Sequence, residues 1–489
     1  MDKRQSGKTS RSRSRRPAQR RDTPRDSEAL DDGQGGPYDG EETTGRYMVL
    51  LRQDAVGAGA AALADTSGFR VTNAADIGEE ATPEEALEEG GAVAFDNVGV
   101  IVVDAAEDRF QALNVMAADS PEVLAVEPVG YVYALGEWSD DPAGGIAMLP
   151  AADQYGPRPV TAMDGVPADY LRGYRDAVNN LVEVVLETEE TAGGPGSLAA
   201  VAWDETELTW GLQATKAPAS RFTGNGIKVA VLDTGLDLQH PDFTGRRITS
   251  RSFINGEAVQ DGRGHGTHCT GTACGPLRPG QLPRYGIAYE AEIFIGKVLN
   301  NAGRGTDIEI LAGIDWAIAN GCEIVSMSLG AGRCGGAVRP PSQVFENVGR
   351  RALAQGTLIV AAAGNDSNRP QGICPVSHPA NCASIFAVGA IDSRFRVASF
   401  SNAGLSPQGG QVDIAGPGVN VRSSYLQPQL YRSLNGTSMA TPHVAGIAAL
   451  FAEANPGVRG RGLMSLLLQQ ARRLPLPARD VGAGLVQAP

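Results

Sequence analysis

Apolar runs alternate with helical segments throughout the second half of the chain, and this alternation restricts the fold more than any other feature. Strands joined by helices of this length pair in parallel, and helices cover both faces of their sheet. The predicted strands lie at 227–232, 293–299, 323–328, 358–363 and 385–391. The clearest predicted helix, 307–320, follows a capping-box pattern of Thr306 and Glu309 and ends at Gly321. We therefore expect an α/β fold with a mostly parallel sheet, whose working residues lie at the carboxyl ends of its strands.

A second pattern precedes this region, between residues 45 and 136. Strand-like runs occupy 46–51, 92–95, 98–103 and 123–135, helical stretches occupy 55–65 and 107–118, and an acidic loop occupies 79–89. The order is β-α-β-β-α-β, which is the ferredoxin-like arrangement. The sequence thus predicts a small α+β domain ahead of the larger one.

The remaining segments are polar. Residues 1–44 form a basic, arginine-rich tail that we expect to be disordered, and 137–205 form an Asp/Gly/Pro-rich linker with one helical segment at 170–186. Ten Lys/Arg and four Asp/Glu occupy the first thirty residues, whereas the rest of the chain has a net charge of −20. This acidic body argues against nucleic acid as a partner.

Compartment and cysteine chemistry depend on each other. The sequence contains no run typical of a membrane span or of the apolar centre of a secretory signal. We therefore expect a cytoplasmic protein, with secretion by an unrecognised route as the alternative. Buried or free thiols are then expected for the six cysteines, while an oxidising compartment would favour a bridge between Cys374 and Cys382.

Three segments carry residues that suit nucleophilic catalysis. Asp233 closes an apolar run, His265 stands in the glycine-flanked segment GHGTHCTG, and Ser438 precedes an alanine-rich helix in NGTSMATPHVAG. Individually these residues suit a turn, a metal pair of His265 with His268, and a helix cap. Gly and Thr separate the two histidines and no acidic partner follows, so we expect no metal site. The order Asp, His, Ser is that of subtilisin.

Together the three segments resemble the signatures of the subtilase family, over roughly residues 205–489. The resemblance implies a subtilisin-like three-layer fold and a serine endopeptidase that works through an acyl-enzyme intermediate. It makes Asp233, His265 and Ser438 the catalytic triad, and Asn365, which ends AAAGN, the second oxyanion donor. The alternative is a catalytically silent subtilase fold that serves as a binding module.

The resemblance also implies a substrate-binding edge. Ser328, Leu329 and Gly330 resemble the family segment that pairs with an extended substrate, and Ala363 and Gly364 adjoin the oxyanion residue. The segment 303–305 forms either the facing edge or a plain turn. Recognition through main-chain hydrogen bonds would leave specificity to side-chain pockets.

Further residues have expected roles by the same resemblance. Asp242 matches a carboxylate of a common calcium site of the family, but the partner loop 276–285 contains no Asp, Glu or Asn, so no cofactor is expected and calcium is weakly supported. His268 and His443 should be packed helix residues. Cys269 matches a thiol beneath the catalytic histidine, which predicts sensitivity to mercurials.

Residues 45–136 resemble the inhibitory propeptides of subtilases in position, length and element order. This implies a zymogen that cuts itself within 136–205, and the alternative is a permanently attached accessory domain. The expected division is a tail at 1–44, a propeptide domain at 45–136, a linker at 137–205 and a catalytic domain at 206–489. The expected partners are protein or peptide substrates and the chain's own propeptide, with the chain acting as a monomer.

Overall fold

In the computed structural model, one compact unit extends from Gly40 to Pro489. The described residues are 43–53, 55, 57, 59, 61, 69–78, 81–104, 120–135, 202–331, 340–405 and 410–489. The predicted tail 1–44 and linker 137–205 lie almost wholly outside them. The predicted helices at 107–118 and 170–186 lie outside them too, as does most of 55–65.

A small sheet with a helix forms the N-terminal domain. Its elements are β1 (Thr43–Leu51), β2 (Arg70–Asn73), α1 (Pro83–Gly90), β3 (Gly91–Phe95), β4 (Val100–Asp104) and β5 (Val123–Ala134), with a 3-10 turn at Ala74–Asp76. The strand order is β5-β1-β4-β3-β2, and all neighbours are antiparallel except β2 and β3. The four predicted strands are confirmed, whereas β2 was not predicted.

The predicted acidic loop at 79–89 is wrong, because most of it is α1. Thr82 accepts a hydrogen bond from the backbone N–H of Glu85, whose side chain in turn accepts one from the backbone of Thr82. Pro83 takes the first helical position, where its missing N–H costs nothing. This capping box starts a helix despite the high density of negative charge.

The larger domain contains the remaining elements. Its strands are β6 (Lys228–Asp233), β7 (Ile248–Ser252), β8 (Glu292–Lys297), β9 (Arg304–Thr306), β10 (Ile324–Met327), β11 (Leu329–Gly330), β12 (Leu358–Ala362), β13 (Phe386–Ile391), β14 (Ile414–Pro417), β15 (Val421–Ser424) and β16 (Tyr431–Leu434). Its helices are α2 (Trp210–Ala214), α3 (His265–Cys274), α4 (Asp307–Ala319), α5 (Gln343–Ala354), α6 (Thr437–Ala454), α7 (Arg461–Gln470) and α8 (Ala478–Val481), with 3-10 turns at Ala217–Ala219 and Pro241–Phe243.

A parallel sheet of seven strands forms the middle layer, in the order β14-β13-β12-β10-β6-β8-β7. Side chains of β6 alternate between its faces: Val229 and Val231 join the core beneath α3 and α6, and Ala230 and Leu232 join the core beneath α4 and α5. The expected three-layer α/β fold is confirmed. The five predicted strands each lie within two residues of an observed one, and α4 has the predicted capping box.

The two domains share a second sheet. Beyond its pairing with β1, strand β5 runs on between β9 and β11, so that its last residues pair with the larger domain on both sides. Since β11 follows β10 directly, the end of β5 comes to the carboxyl edge of the parallel sheet.

The cysteines differ from the prediction. Cys374 is disulfide-bonded, while Cys269, Cys274, Cys322 and Cys382 keep buried thiols. The suggested bridge between Cys374 and Cys382 is therefore wrong, and the expectation of buried thiols holds for these four cysteines but not for Cys374. Sequence spacing cannot identify partners, because a bridge requires proximity in the folded chain.

Candidate active site

The three predicted catalytic side chains gather at the carboxyl end of the parallel sheet. Asp233 is the last residue of β6, His265 is the first of α3, and Ser438 is the second of α6. The two helices pack together, and the Cys269 thiol lies 3.5 Å from the backbone oxygen of Ser438 and 4.0 Å from Nδ1 of His265. One buried site therefore contains all three.

Glycines allow α3 to begin so close to β6. Gly264, which precedes the helix, has a φ of +93°, and an added Cβ there would lie 2.4 Å from the ring of Tyr425. A Cβ at Gly266 would lie 2.2 Å from the backbone oxygen of Gly235. Any other residue would push the histidine away from the strand end.

Asp233 and His265 form a tight buried pair. Nδ1 of His265 lies 2.7 Å from Oδ1 of Asp233, and both side chains are only 1% exposed. Because the carboxylate can only accept, Nδ1 carries the proton of this bond. Burial lowers the pKa of His265, but the charge and hydrogen bond of Asp233 more than offset it, so the pKa lies well above its ordinary value. Within the described ranges the buried Nε2 makes no hydrogen bond, so it is available to accept a proton.

Ser438 occupies the start of α6, where backbone N–H groups lack helical acceptors. Its hydroxyl lies 3.3 Å from the carbonyl oxygen of Ser328 and 3.3 Å from that of Leu135. The hydroxyl of Ser328 donates to the backbone oxygen of Ser438 at 2.8 Å, which fixes the two segments to each other. The nucleophile candidate thus lies directly against a peptide carbonyl of the N-terminal domain.

Asn365 follows β12, and its amide has a fixed orientation. Its Oδ1 accepts hydrogen bonds from the backbone N–H and the hydroxyl of Thr437, at 2.9 and 2.7 Å. This leaves Nδ2 as the donor on the side of Gly436, where an added Cβ would lie 3.1 Å from it. The preceding Gly364 has a φ of +113° and leaves no room for a side chain.

Two strands of the larger domain clamp the end of β5. On one side Leu329 pairs with Ala134 and Gly330 pairs with Tyr133. On the other side β9 pairs with residues 131–133, and the N–H of Ala134 donates to the carbonyl of Gly303 at 2.8 Å. The segment 303–305 is therefore a facing edge rather than a plain turn.

Ala363 and Gly364, which were also predicted to bind substrate, do not pair with β5. Both are buried, and their N–H groups donate to the carbonyl of Val388 and to the hydroxyl of Thr437. Their backbone donors thus serve the domain itself and position Asn365.

The two other histidines of the motif segments, His268 and His443, are packed helix residues. Nε2 of His268 lies 2.9 Å from the carbonyl oxygen of Val421, and burial lowers the pKa of this histidine to about 3. Nδ1 of His443 lies 2.8 Å from the carbonyl oxygen of Met439, and burial lowers its pKa to about 4. Both imidazoles stay neutral at ordinary pH and lack the carboxylate partner that His265 has.

Asp261 is a structural residue that the sequence analysis missed. Its buried carboxylate accepts hydrogen bonds from the backbone of Gly264 and Thr267 and from the hydroxyl groups of Thr267 and Thr234. It therefore caps α3 and connects this helix to the end of β6. The signal available in the sequence was an aspartate four residues before His265, where a helix starts.

The site does not suit a metal ion. Ligand atoms of Asp233, His265 and Cys269 lie within 4.8 Å of one another. However, Nδ1 of His265 already donates to Asp233, and burial raises the pKa of the Cys269 thiol, which disfavours the thiolate that binds metals. The same burial argues against Cys269 as a nucleophile, and its sensitivity to mercurials stays a prediction.

Calcium does not fit at Asp242 either. Its carboxylate accepts hydrogen bonds from the hydroxyl groups of Tyr285 and Tyr431, at 2.6 and 3.0 Å, and from the N–H of Gly280 at 2.8 Å. Burial and this carboxylate raise the pKa of Tyr431 to about 12 and that of Tyr285 well above its ordinary value. Hydrogen-bond donors therefore surround Asp242, where a hard cation would need oxygen ligands.

Comparison with known proteins gives one consistent result. The model of the subtilase family of peptidases matches residues 224–484. Subtilisin BL and subtilisin Savinase, both from Lederbergia lenta, are each 41% identical over 285 residues, which cover 58% of this chain and 97% of theirs. M-protease from Shouchella clausii strain KSM-K16 is also 41% identical over 285 residues, or 69% of its length.

These comparisons correct the predicted compartment. The similar proteins are secreted extracellular subtilisins, so the expectation of a cytoplasmic protein is wrong. The bonded state of Cys374 agrees with this correction, because disulfides persist in oxidising compartments. The expectation depended only on the lack of an apolar leader, and such an absence is weak evidence.

Proposed function

The chain belongs to the subtilase family and is a serine endopeptidase, and on this premise we propose that Asp233, His265, Ser438 and Asn365 carry its catalysis. The observation that carries the proposal is the arrangement at the sheet edge. A buried carboxylate–imidazole pair lies beside a serine whose hydroxyl contacts a peptide carbonyl oxygen at 3.3 Å.

Each residue has a distinct role in this proposal. Nε2 of His265 takes the proton of Ser438 as the hydroxyl oxygen attacks a peptide carbonyl, and later gives it to the leaving amine. Asp233 keeps the proton of the imidazole on Nδ1 and stabilises the imidazolium. Nδ2 of Asn365 and the first N–H groups of α6 stabilise the negative oxygen that forms on the carbonyl.

We also propose that the chain is a zymogen whose domain at 45–136 inhibits the catalytic domain at 206–489. The end of β5 occupies the edge where an extended substrate would pair. A buried interface supports it: Asp315 accepts hydrogen bonds from the backbone of Asn97 and Val98, at 2.9 and 3.3 Å. A permanently attached accessory domain would have no need to cover the nucleophile.

Further polar contacts hold the N-terminal domain to the catalytic domain. Asp307 accepts from the N–H of Gly130 at 2.8 Å, and Glu127 accepts from the N–H of Gln343 at 2.7 Å. Arg351 donates to the carbonyl oxygen of Val98 at 2.6 Å. Charged side chains that bond backbone groups therefore hold the two domains together, and the contacts of Gly130 and Glu127 fix the position of β5.

Cofactors and partners follow from the family in part. Subtilases generally work without a cofactor, with calcium optional, and they act on proteins. Across the described residues there is no helix with the length and hydropathy needed to span a membrane. We propose that this chain acts as a monomer, that it needs no calcium at Asp242, and that its own N-terminal domain is its first partner.

A serine-directed fluorophosphonate probe tests the catalytic roles. After the N-terminal domain is removed, we expect labelling of the wild type and no labelling of Ser438→Ala. The catalytically silent binding module, which is the alternative, predicts that neither protein is labelled. Labelling of Ser438→Ala at the same rate would contradict the assignment of the nucleophile.

A further inference from the structure

The end of β5 lies where an extended substrate would pair, so its side chains indicate which substrate residues the cleft accepts. We propose that residues 131–135 are the template of the preferred substrate and that the first self-cleavage breaks the peptide bond on the carboxyl side of Leu135. The preferred sequence then has Leu at P1, Ala at P2, Val at P4 and aromatic residues at P3 and P5, where P1 donates the cleaved carbonyl. This inference rests on the proposed function of Ser438.

The backbone geometry places Leu135 at P1. Strand pairing continues without a gap along residues 131–134, because β9 pairs with residues 131–133 on one side and β11 pairs with Tyr133 and Ala134 on the other. The next carbonyl oxygen, that of Leu135, is the one that Ser438 Oγ contacts at 3.3 Å. An extended strand fixed on both edges cannot slip by one residue without exchanging every side chain between faces.

Two side chains of this segment fill apolar surroundings. Val132 is 0% exposed and packs in the core with residues of α4 and β8, and Leu135 is 8% exposed. An added Cβ at Gly330 would lie 3.5 Å from Cδ2 of Leu135, so Gly330 forms a wall for the P1 side chain. Burial favours apolar side chains at P4 and P1, and a charged residue at either position would lose its hydration.

Arg304 forms cation–π contacts with two side chains of this segment. Its guanidinium carbon lies 3.9 Å from the ring centroid of Tyr131 and 6.0 Å from that of Tyr133. Arg304 belongs to β9, whose backbone pairs with these same residues, so the charge lies between the P5 and P3 side chains. A cation over an aromatic ring at an exposed site changes binding by about two- to five-fold. We therefore assign Arg304 as a specificity-determining residue for aromatic side chains at these positions.

Self-cleavage at this bond requires only the side chains of Ser438 and His265 and one water molecule. Ser438 Oγ bonds to the carbonyl carbon of Leu135 and its proton passes to Nε2 of His265. The bond from that carbon to the nitrogen of Gly136 breaks, and the nitrogen takes the proton from His265. Water then hydrolyses the ester between Leu135 and Ser438, which frees the carboxylate of Leu135 and restores the hydroxyl.

Mass spectrometry of the processed full chain tests the cleavage position. We expect an N-terminal fragment that ends at Leu135 and a new N-terminus at Gly136 in the earliest products, and an intact chain for Ser438→Ala. An earliest cut at any other bond would overturn the template, although the proposed endopeptidase would stand. Failure of the wild type to cut either itself or casein would instead count against the proposed function.

Peptide kinetics test the role of Arg304. The substrates are succinyl-Tyr-Val-Tyr-Ala-Leu-p-nitroanilide and its variant with Ser at P5, the position of the closer ring contact, and their kcat/KM ratio is independent of the active enzyme concentration. We expect the wild type to prefer Tyr by at least about two-fold. In Arg304→Gln this preference should fall toward the value set by apolar contact alone, while Arg247→Gln, an exposed arginine elsewhere, keeps it. An unchanged ratio in Arg304→Gln overturns the assignment.

Discussion

Burial of Asp233 and His265 sets the electrostatics of the active site. At 1% exposure, water screens neither side chain, so the aspartate controls where the imidazole proton resides and how tightly it is held. The Cys269 thiol contacts the His265 ring, and Asp261 accepts a hydrogen bond from Thr267 in the first turn of the same helix. These contacts leave the His265 side chain few alternative positions.

The raised pKa of His265 predicts the acid limb of the activity profile. The base works only when it is neutral, so kcat/KM should rise with pH through a midpoint above 6.5, the ordinary histidine value. Asp233→Asn removes the charge that raises the pKa, and we expect a lower midpoint together with a loss of about 10⁴-fold in kcat. A pH series with a peptide substrate measures both, with the exposed Asp204→Asn as control. An identical midpoint in Asp233→Asn would contradict the electrostatic account.

Asn365 should affect turnover more than binding. Two donors of Thr437 hold the oxygen of its amide in place, so the orientation of Nδ2 is set before the reaction begins. We expect Asn365→Ala to lower kcat by about 10²–10³-fold with little change in KM. Asn347→Ala, on the exposed surface of α5, is a matched control. A rise in KM at constant kcat would assign Asn365 to substrate binding instead.

At the scale of elements, capping and pairing decide where each functional group stands. Asp261 fixes the start of α3, because it accepts hydrogen bonds from the N–H of Gly264, just before the helix, and from that of Thr267 in its first turn. Helix α6 begins at Thr437, directly after Gly436. The sequence predicted α4 and its capping box correctly, since those signals are local. The analysis missed α1, because the glutamates around the capping box of Thr82 led to the prediction of an acidic loop.

The loop that contacts Asp242 should be stable without calcium. Because three donors already satisfy this carboxylate, a chelator such as EDTA should leave the Tm of the Ser438→Ala protein unchanged. Tyr285→Phe removes one donor to a buried charge, and we expect it to lower the free energy of unfolding by about 2 kcal/mol. Tyr289→Phe is the control. A clear loss of Tm on adding EDTA would show that a cation contributes here.

At the scale of the whole molecule, the N-terminal domain and the larger domain share one sheet, in which β5 pairs with β9 and β11 and ends at the candidate active site. Their contacts combine the paired strand β5 with buried acidic side chains of the catalytic domain. Burial raises the pKa of Asp315, which contacts the N-terminal domain, to about 6. Release of the N-terminal domain would return it to solvent.

The contacts of Asp315 predict how firmly the N-terminal domain is held. Asp315→Asn places an amide where Asn97 and Val98 present N–H donors, so one favourable contact becomes a clash of donors. We expect the cut N-terminal domain to dissociate roughly ten-fold faster or more, because a hydrogen bond to a charged group contributes about 1.5–3 kcal/mol. The time course of activity after processing measures this, and Asp392→Asn is the control. An unchanged time course would contradict a holding role.

The sequence by itself determined the order of the proposed catalytic residues along the chain and most strands of the parallel sheet. These features are local: an apolar run, a glycine-flanked histidine and a serine before a helix are each visible within about ten residues. The structure adds the 2.7 Å contact between Asp233 and His265, which joins residues 32 positions apart.

Only the tertiary structure decided where the N-terminal domain meets the active site. Leu135 and Ser438 are 303 positions apart, and no local pattern gives the register in which β5 enters between β9 and β11. The same is true of the tyrosines around Asp242 and of the bonded state of Cys374. Such contacts depend on how complete elements pack, because a backbone or hydroxyl donor finds its distant partner only when the surrounding fold is in place.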